Sequence, residues 1–147
     1  KIIRKKCLRG TKMTDCVFCK VLAKELPSHN VYEDDVSYAF LDINPSTAGH
    51  TLIIPKKHYA TFTEIPEKEL GAYMVSVQKV CKGVEKLHGA FNLLRNNGKA
   101  AGEFVPHVHF HVVPRQKGDG IEIGHWRKAE NVDMEKVQEK IKSLLKE

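Results

Sequence analysis

The stretch Pro106–Pro114, PHVHFHVVP, constrains the fold more than any other segment of the chain. Histidines stand at 107, 109 and 111, with Val108, Phe110 and Val112 interleaved. Side chains of a β-strand point alternately to its two faces, so this order predicts a strand with one apolar face and a row of imidazoles on the other. Neighbours in that row would lie about 6.5–7 Å apart at Cα, two strand steps. Three readings follow: a His-rich exposed face, a catalytic zinc held by the row, or a phosphate site in which one neutral imidazole is the nucleophile. Imidazole suits the last task because it is nucleophilic near neutral pH and leaves phosphorus readily once protonated. Its neighbours can donate hydrogen bonds to phosphoryl oxygens and stabilise charge in the transition state.

The flanking sequence supplies partners for that strand. From Cys16 to about Leu26, Val17, Phe18, Val21 and Leu22 recur at helical spacing, and Pro27 follows. NVYE (30–33) and SYAFLD (37–42) read as strands around an Asp34-Asp35 turn, and HTLIIP (50–55) as a third, reached through NPSTAG. After Pro66, suited to a helix N1 position, Leu70, Tyr73, Met74, Val77, Val80, Val84 and Leu87 form a long apolar stripe. FNLLRN (91–96) reads as a fourth strand, joined to the fifth through the small-residue loop NGKAAG. Met134, Val137, Ile141, Leu144 and Leu145 suggest a closing amphipathic helix with Asp133 as N-cap. The order α-β-β-β-α-β-β-α, with short connections, predicts an α+β fold around a five-stranded antiparallel sheet.

Charge narrows the partners. The net charge of +6 concentrates in residues 1–12, which hold six basic residues and no acid. With those six of the 24 basic residues set aside, 18 remain against 18 acidic ones. The arm is expected to be a tail outside a single domain of residues 13–147, and the balanced remainder gives no footprint for nucleic acid. No apolar run approaches the ~20 residues that cross a bilayer.

Cys16 and Cys19 form a C-x-x-C pair, which without a secretory signal suggests a cytosolic metal site or redox pair. Zinc is the favoured reading, because the strand that precedes a redox motif is missing. Two thiolates need two further ligands for a closed tetrahedral site, and His50 and His107 each open a strand. The expected structural zinc set is therefore Cys16, Cys19, His50 and His107, which leaves His109 and His111 for chemistry.

At this point the chain resembles a known family. The segments CVFC, YEDD, AFLDINPSTAGHTLIIPKKH, NNG, AAG and PHVHFHVVPR, spread from Asp15 to Trp126, are similar to the signature of the histidine-triad (HIT) superfamily of nucleotide hydrolases and transferases. The resemblance implies a five-stranded antiparallel sheet with helices packed on it, extended to ten strands in a homodimer, and a cytoplasmic location. It implies hydrolysis of nucleoside 5′-phosphoramidates or related mono- or dinucleoside polyphosphates, purines preferred, through a nucleotidyl-histidine on His109. His111 would contact the phosphate, Asp42 the ribose hydroxyls, and Asn96 and Gly102 the phosphates and leaving group. Val17, Phe18, Val21, Phe40 and Ile43 would line the base slot. In zinc-binding members the ligands match Cys16, Cys19, His50 and His107; in zinc-free members the counterparts of the two histidines form a hydrogen-bond relay. Two rivals remain: a nucleotide-binding module with negligible turnover, and a metalloenzyme with zinc on the histidine row. One position departs from the family. Glu103 stands where members often carry Gln, and a carboxylate there would repel phosphate unless turned away or protonated. His58, in PKKH, has no role that the sequence yields.

Overall fold

A computed structural model describes residues 15–124 and 129–146; the basic arm, Cys7, His125 and Trp126 lie outside the described residues. Five strands, β1 (Asn30–Glu33), β2 (Ser37–Leu41), β3 (Thr51–Pro55), β4 (Phe91–Leu94) and β5 (Phe110–Pro114), form one antiparallel sheet in the order β1-β2-β3-β5-β4. Helix α1 (Val17–Leu22) covers one face and α2 (Glu67–His88) the other. This is the α+β architecture the sequence predicted.

The alternation around the histidines explains why both faces are covered. Val108, Phe110 and Val112 join Ala39, Ile53 and the α2 residues Tyr73, Val77, Val80, Cys81 and Val84 in the larger core. Tyr73 donates from its hydroxyl to the Ile53 carbonyl at 2.9 Å, fastening α2 to β3. On the opposite face Phe18, Val21, Phe40, Leu52, Ile54 and Cys16 make a second cluster beneath α1. At about 25 cal/mol per Å² of apolar surface, side chains this fully enclosed each contribute on the order of 1.5–3 kcal/mol before entropy is counted.

Three expectations need adjustment. The strand predicted over 107–113 begins only at Phe110, because the Val108 N–H goes to the Tyr59 carbonyl (2.7 Å) and the His107 N–H to Val105 (2.8 Å), outside the β3 ladder. Pro66 caps α2 one position ahead of N1. The closing helix α3 (Met134–Leu144) forms with Asp133 accepting from the Lys136 N–H, yet none of its residues is buried: Met134, Val137, Ile141 and Leu144 all stay exposed. A sequence stripe reports amphipathicity, not what the apolar face meets.

Between β2 and β3, Gly49 adopts φ +93°, and a Cβ there would come within 2.7 Å of Leu87 Cδ1. Glycine thus lets the loop turn tightly against the end of α2 and deliver His50 to the start of β3.

Candidate active site and metal centre

The antiparallel register sorts the histidines into two groups. Thr51 pairs with Val112 and Ile53 with Phe110, so the start of β3 lies beside the end of the histidine segment and the end of β3 beside its start. His50, before β3, therefore neighbours His111, while His58, just beyond β3, neighbours His107.

At the His107 end, one donor atom each from Cys16, Cys19, His58 and His107 lies within 4.8 Å of the others. Cys16 Sγ is 3.5 Å and Cys19 Sγ 3.6 Å from His107 Nδ1, and Cys19 Sγ is 3.3 Å from His58 Nδ1. A tetrahedral zinc with Zn–S of about 2.3 Å and Zn–N of about 2.0–2.1 Å holds sulfur and nitrogen donors about 3.5 Å apart, so the separations fit that ion. The orientation of His107 fits as well. Its Nε2 lies 2.9 Å from the Pro55 carbonyl, which can only accept, so Nε2 carries the proton and Nδ1 offers a lone pair towards the thiols. Burial pushes the His107 imidazole down to about 4, against the opposing effect of that hydrogen bond, keeping the ring in its neutral, ligating form. The expected ligand set is corrected at one position: His58, not His50, completes the cluster.

His50 belongs to the other group. The Ser46 N–H lies 3.1 Å from His50 Nδ1 and can only donate, so Nδ1 accepts and the ring proton sits on Nε2. Nε2–H then donates to His111 Nδ1 at 2.9 Å, which places the His111 proton on its own Nε2. Asp42 Oδ2 lies alongside, 3.5 Å from His50 Nε2 and 4.0 Å from His111 Nδ1. Asp42, His50 and His111 are close enough to surround a cation. They do not fit one, because the Ser46 amide leaves His50 Nε2 a donor without a lone pair. The arrangement is a hydrogen-bond relay, and zinc on the histidine row finds no support in it.

His109 stands between the groups, its ring centroid 5.0 Å from His111 and 5.2 Å from Phe18. Its Nδ1 lies 2.7 Å from the His107 carbonyl and must donate to it, so the free lone pair is on Nε2. Burial holds the His109 imidazole below its usual range, the His107 carbonyl opposing, so the ring stays neutral. His111 is pushed down to about 4 by burial and by His109 and His50. The result is one neutral imidazole with a defined basic nitrogen beside a second that presents an N–H donor.

The HIT domain family matches residues 23–118, about two thirds of the sequence. The chain belongs to the HIT family. It is 46% identical over 128 residues to an uncharacterised HIT-like protein of Methanocaldococcus jannaschii, covering 86% of this chain and 98% of that one. It is 41% identical over 131 residues to adenosine 5′-monophosphoramidase HNT1 of Saccharomyces cerevisiae, covering 88% and 80%. Among solved structures, a HIT family protein from Bacillus subtilis superposes with TM-score 0.80 at 38% identity over 90% of this chain and 96% of that one. A zinc-bound histidine triad family protein from Mycobacterium smegmatis gives TM-score 0.67 at 35% identity over 82% and 86%.

Other residues singled out in the HIT signature fall around His109 unevenly. Phe18 meets Phe40 edge to face at 5.5 Å, and with Val21 both are buried. Val17 and Ile43 are exposed, Ile43 at 83%. Asp42 Oδ1 accepts the Asn44 N–H, leaving Oδ2 towards the relay. Gly102 has φ +85°, and its absent Cβ would stand 3.7 Å from Asn96 Nδ2, so these two residues adjoin. Glu103 is held by Arg95 and the Gly98 N–H and is ionised. Burial alone would raise its pKa, but hydrogen bonds from Arg95 and the Gly98 N–H, with the Arg95 charge, hold it below the usual carboxylate range. A cavity of about 200 Å³, lined by Lys56, Lys57, Lys68 and Tyr73 among others, lies between the β2–β3 end and α2 and includes none of the histidines.

Sequence reasoning missed His58 and Arg95. A signal for His58 was present: the second histidine must reach His107, and antiparallel pairing brings the end of one strand to the start of the next. Arg95 carried none, since a single arginine after a strand is ordinarily solvated.

Proposed function

We propose that this protein hydrolyses nucleoside 5′-phosphoramidates, or related nucleotides with a leaving group on the α-phosphorus, through a nucleotidyl-histidine on His109. The observation that carries the reading is the His109 tautomer: with Nδ1–H tied to the His107 carbonyl, Nε2 is a neutral nucleophile. Its lone pair forms a P–N bond to the α-phosphorus, and the bond to the leaving nitrogen breaks as that nitrogen takes a proton and departs as an amine. Water then attacks phosphorus, loses a proton, and releases the nucleoside monophosphate together with the neutral ring. His111 donates from Nε2–H to a phosphoryl oxygen, and the Ser46–His50–His111 chain fixes that donor in place. Asp42 Oδ2 accepts from the ribose hydroxyls, and Phe18, Phe40, Val21, Val17 and Ile43 hold a purine, with exposed Val17 and Ile43 the residues a bound base would cover. Asn96 and Gly102 approach the phosphates. The 41% identity to a monophosphoramidase supports this substrate class. The test is incubation with adenosine 5′-phosphoramidate. AMP released with multiple turnovers per chain is expected, while tight AMP binding without turnover would replace this reading with a nucleotide-binding module.

Zinc is the ion proposed for Cys16, Cys19, His58 and His107. Bound there it supplies structural cross-linking between the α1 end, the segment after β3 and the histidine segment. Thiol ligands must stay reduced, which suits the cytoplasm. The proposed assembly is a homodimer joined through β4. This strand ends the sheet, with its outer edge unpaired among the described residues and Leu93 exposed. Sedimentation should give about twice the 16.7 kDa chain mass; a monomer at micromolar concentration overturns the dimer.

A further inference from the structure

Arg95 and Glu103 form an ion pair of 2.7 Å with side chains only 6% and 7% exposed. Both Glu103 oxygens are engaged: Oε1 by Arg95 Nη2, and Oε2 by the Gly98 N–H at 2.9 Å. The Glu103 N–H returns to the Gly98 carbonyl at 3.2 Å, so main chain and side chain close the same loop. Arg95 donates also to the Asn96 carbonyl and, at 3.4 Å, to the Ala60 carbonyl. Next to Ala60, the Tyr59 carbonyl holds the Val108 N–H, one residue from His109. One guanidinium thus joins the end of β4, the Gly98–Gly102 loop and the segment that fastens the histidines.

The loop needs such a fastening. Gly98 and Gly102 sit at φ +86° and +85°, and glycine at both ends gives the chain the freedom to leave this conformation. Stability does not explain the pair, since a buried ion pair is often no better than apolar residues of the same volume.

We propose that Arg95 and Glu103 are positioning residues, a buried charge clamp that fixes the Gly98–Gly102 loop and Asn96 against the phosphate side of His109 and leaves residue 103 no donor for the leaving group. The proposal rests on the reading of His109 as nucleophile. Displacing a loop by about 1 Å beside a reacting phosphorus costs up to about a hundredfold in rate. The clamp therefore acts on the transition state more than on nucleotide affinity.

The double variant Arg95→Met with Glu103→Leu removes both charges together, avoiding the unpaired ion that either single change leaves. Its melting temperature should equal or exceed that of the parent. Its kcat for adenosine 5′-phosphoramidate should fall about 10- to 100-fold with KM changed less than about threefold. Amide exchange at residues 98 and 101–103 should accelerate at least about tenfold while core amides stay protected. Unchanged kcat, or a fall in kcat matched by loss of stability, overturns the clamp, as does unchanged loop exchange. If the parent itself shows no hydrolysis, the proposed function fails, and the exchange measurement still decides whether the loop is clamped.

Discussion

His109→Ala is expected to lower turnover of adenosine 5′-phosphoramidate by about 10,000-fold or more, equivalent to about 5.5 kcal/mol of transition-state stabilisation. The size follows from what is lost. Water has no substitute for an imidazole whose basic nitrogen is fixed by a 2.7 Å bond to the His107 carbonyl, and the two-step route through a covalent intermediate disappears with it. The ring is buried against Phe18, so its removal leaves a cavity and a stability cost of its own. Two measurements separate the effects. The melting temperature reports the cavity, and intact mass after rapid, acid-free quenching reports the chemistry. The parent should gain one nucleotidyl group on His109 and the variant none, with AMP affinity within about tenfold. Residual turnover within tenfold of the parent would place the nucleophile elsewhere.

How far the sequence revealed this arrangement depends on which interactions are local. The HVHFHVV alternation and the α2 stripe record, residue by residue, which side faces a core, and Val108, Phe110, Val112, Tyr73, Val77 and Val80 all lie where that periodicity puts them. The C-x-x-C pair announced ligands by valence alone. What the alternation could not convey is that the row divides, because His107 and His109 precede the paired part of β5 and their environments come from distant segments. Choosing His50 over His58 was an error of register: both flank β3, and only the direction of its pairing with β5 tells which end meets His107. The Glu103 question had no local answer either. Its partner Arg95 lies eight residues away across two positive-φ glycines, and nothing in a loop of small residues specifies where a carboxylate will turn.

The divided row yields the second large effect, on metal content and stability. Purified protein should carry about one zinc per chain; His58→Ala should carry essentially none, and His50→Ala should keep it. The contrast is sharp because the two histidines are equally plausible in sequence yet sit at opposite ends of β3, one beside Cys19 Sγ at 3.3 Å and the other beside His111. Loss of the ion leaves two thiols and a buried imidazole without the charge that organised them. The α1 segment then loses its covalent-strength link to the segment after β3. Such losses rank among the large single-site effects, about 4 kcal/mol or more, which for a domain of this size corresponds to a fall in melting temperature of about 10 °C or more. Truncating His58 also removes packing against His107, whose ring centroid is 4.8 Å away. A chelator resolves this. Stripping the parent should bring its melting temperature to within a few degrees of His58→Ala, the remaining gap being the cavity, whereas stripping His58→Ala should change nothing. Because His109 supplies no donor atom to the cluster and its tautomer is set by the His107 carbonyl, the stripped parent, assayed well below its lowered melting temperature, should lose less than about tenfold in kcat. Full zinc occupancy in His58→Ala, or its loss in His50→Ala, would return His50 to the ligand set and with it the relay to a mere contact.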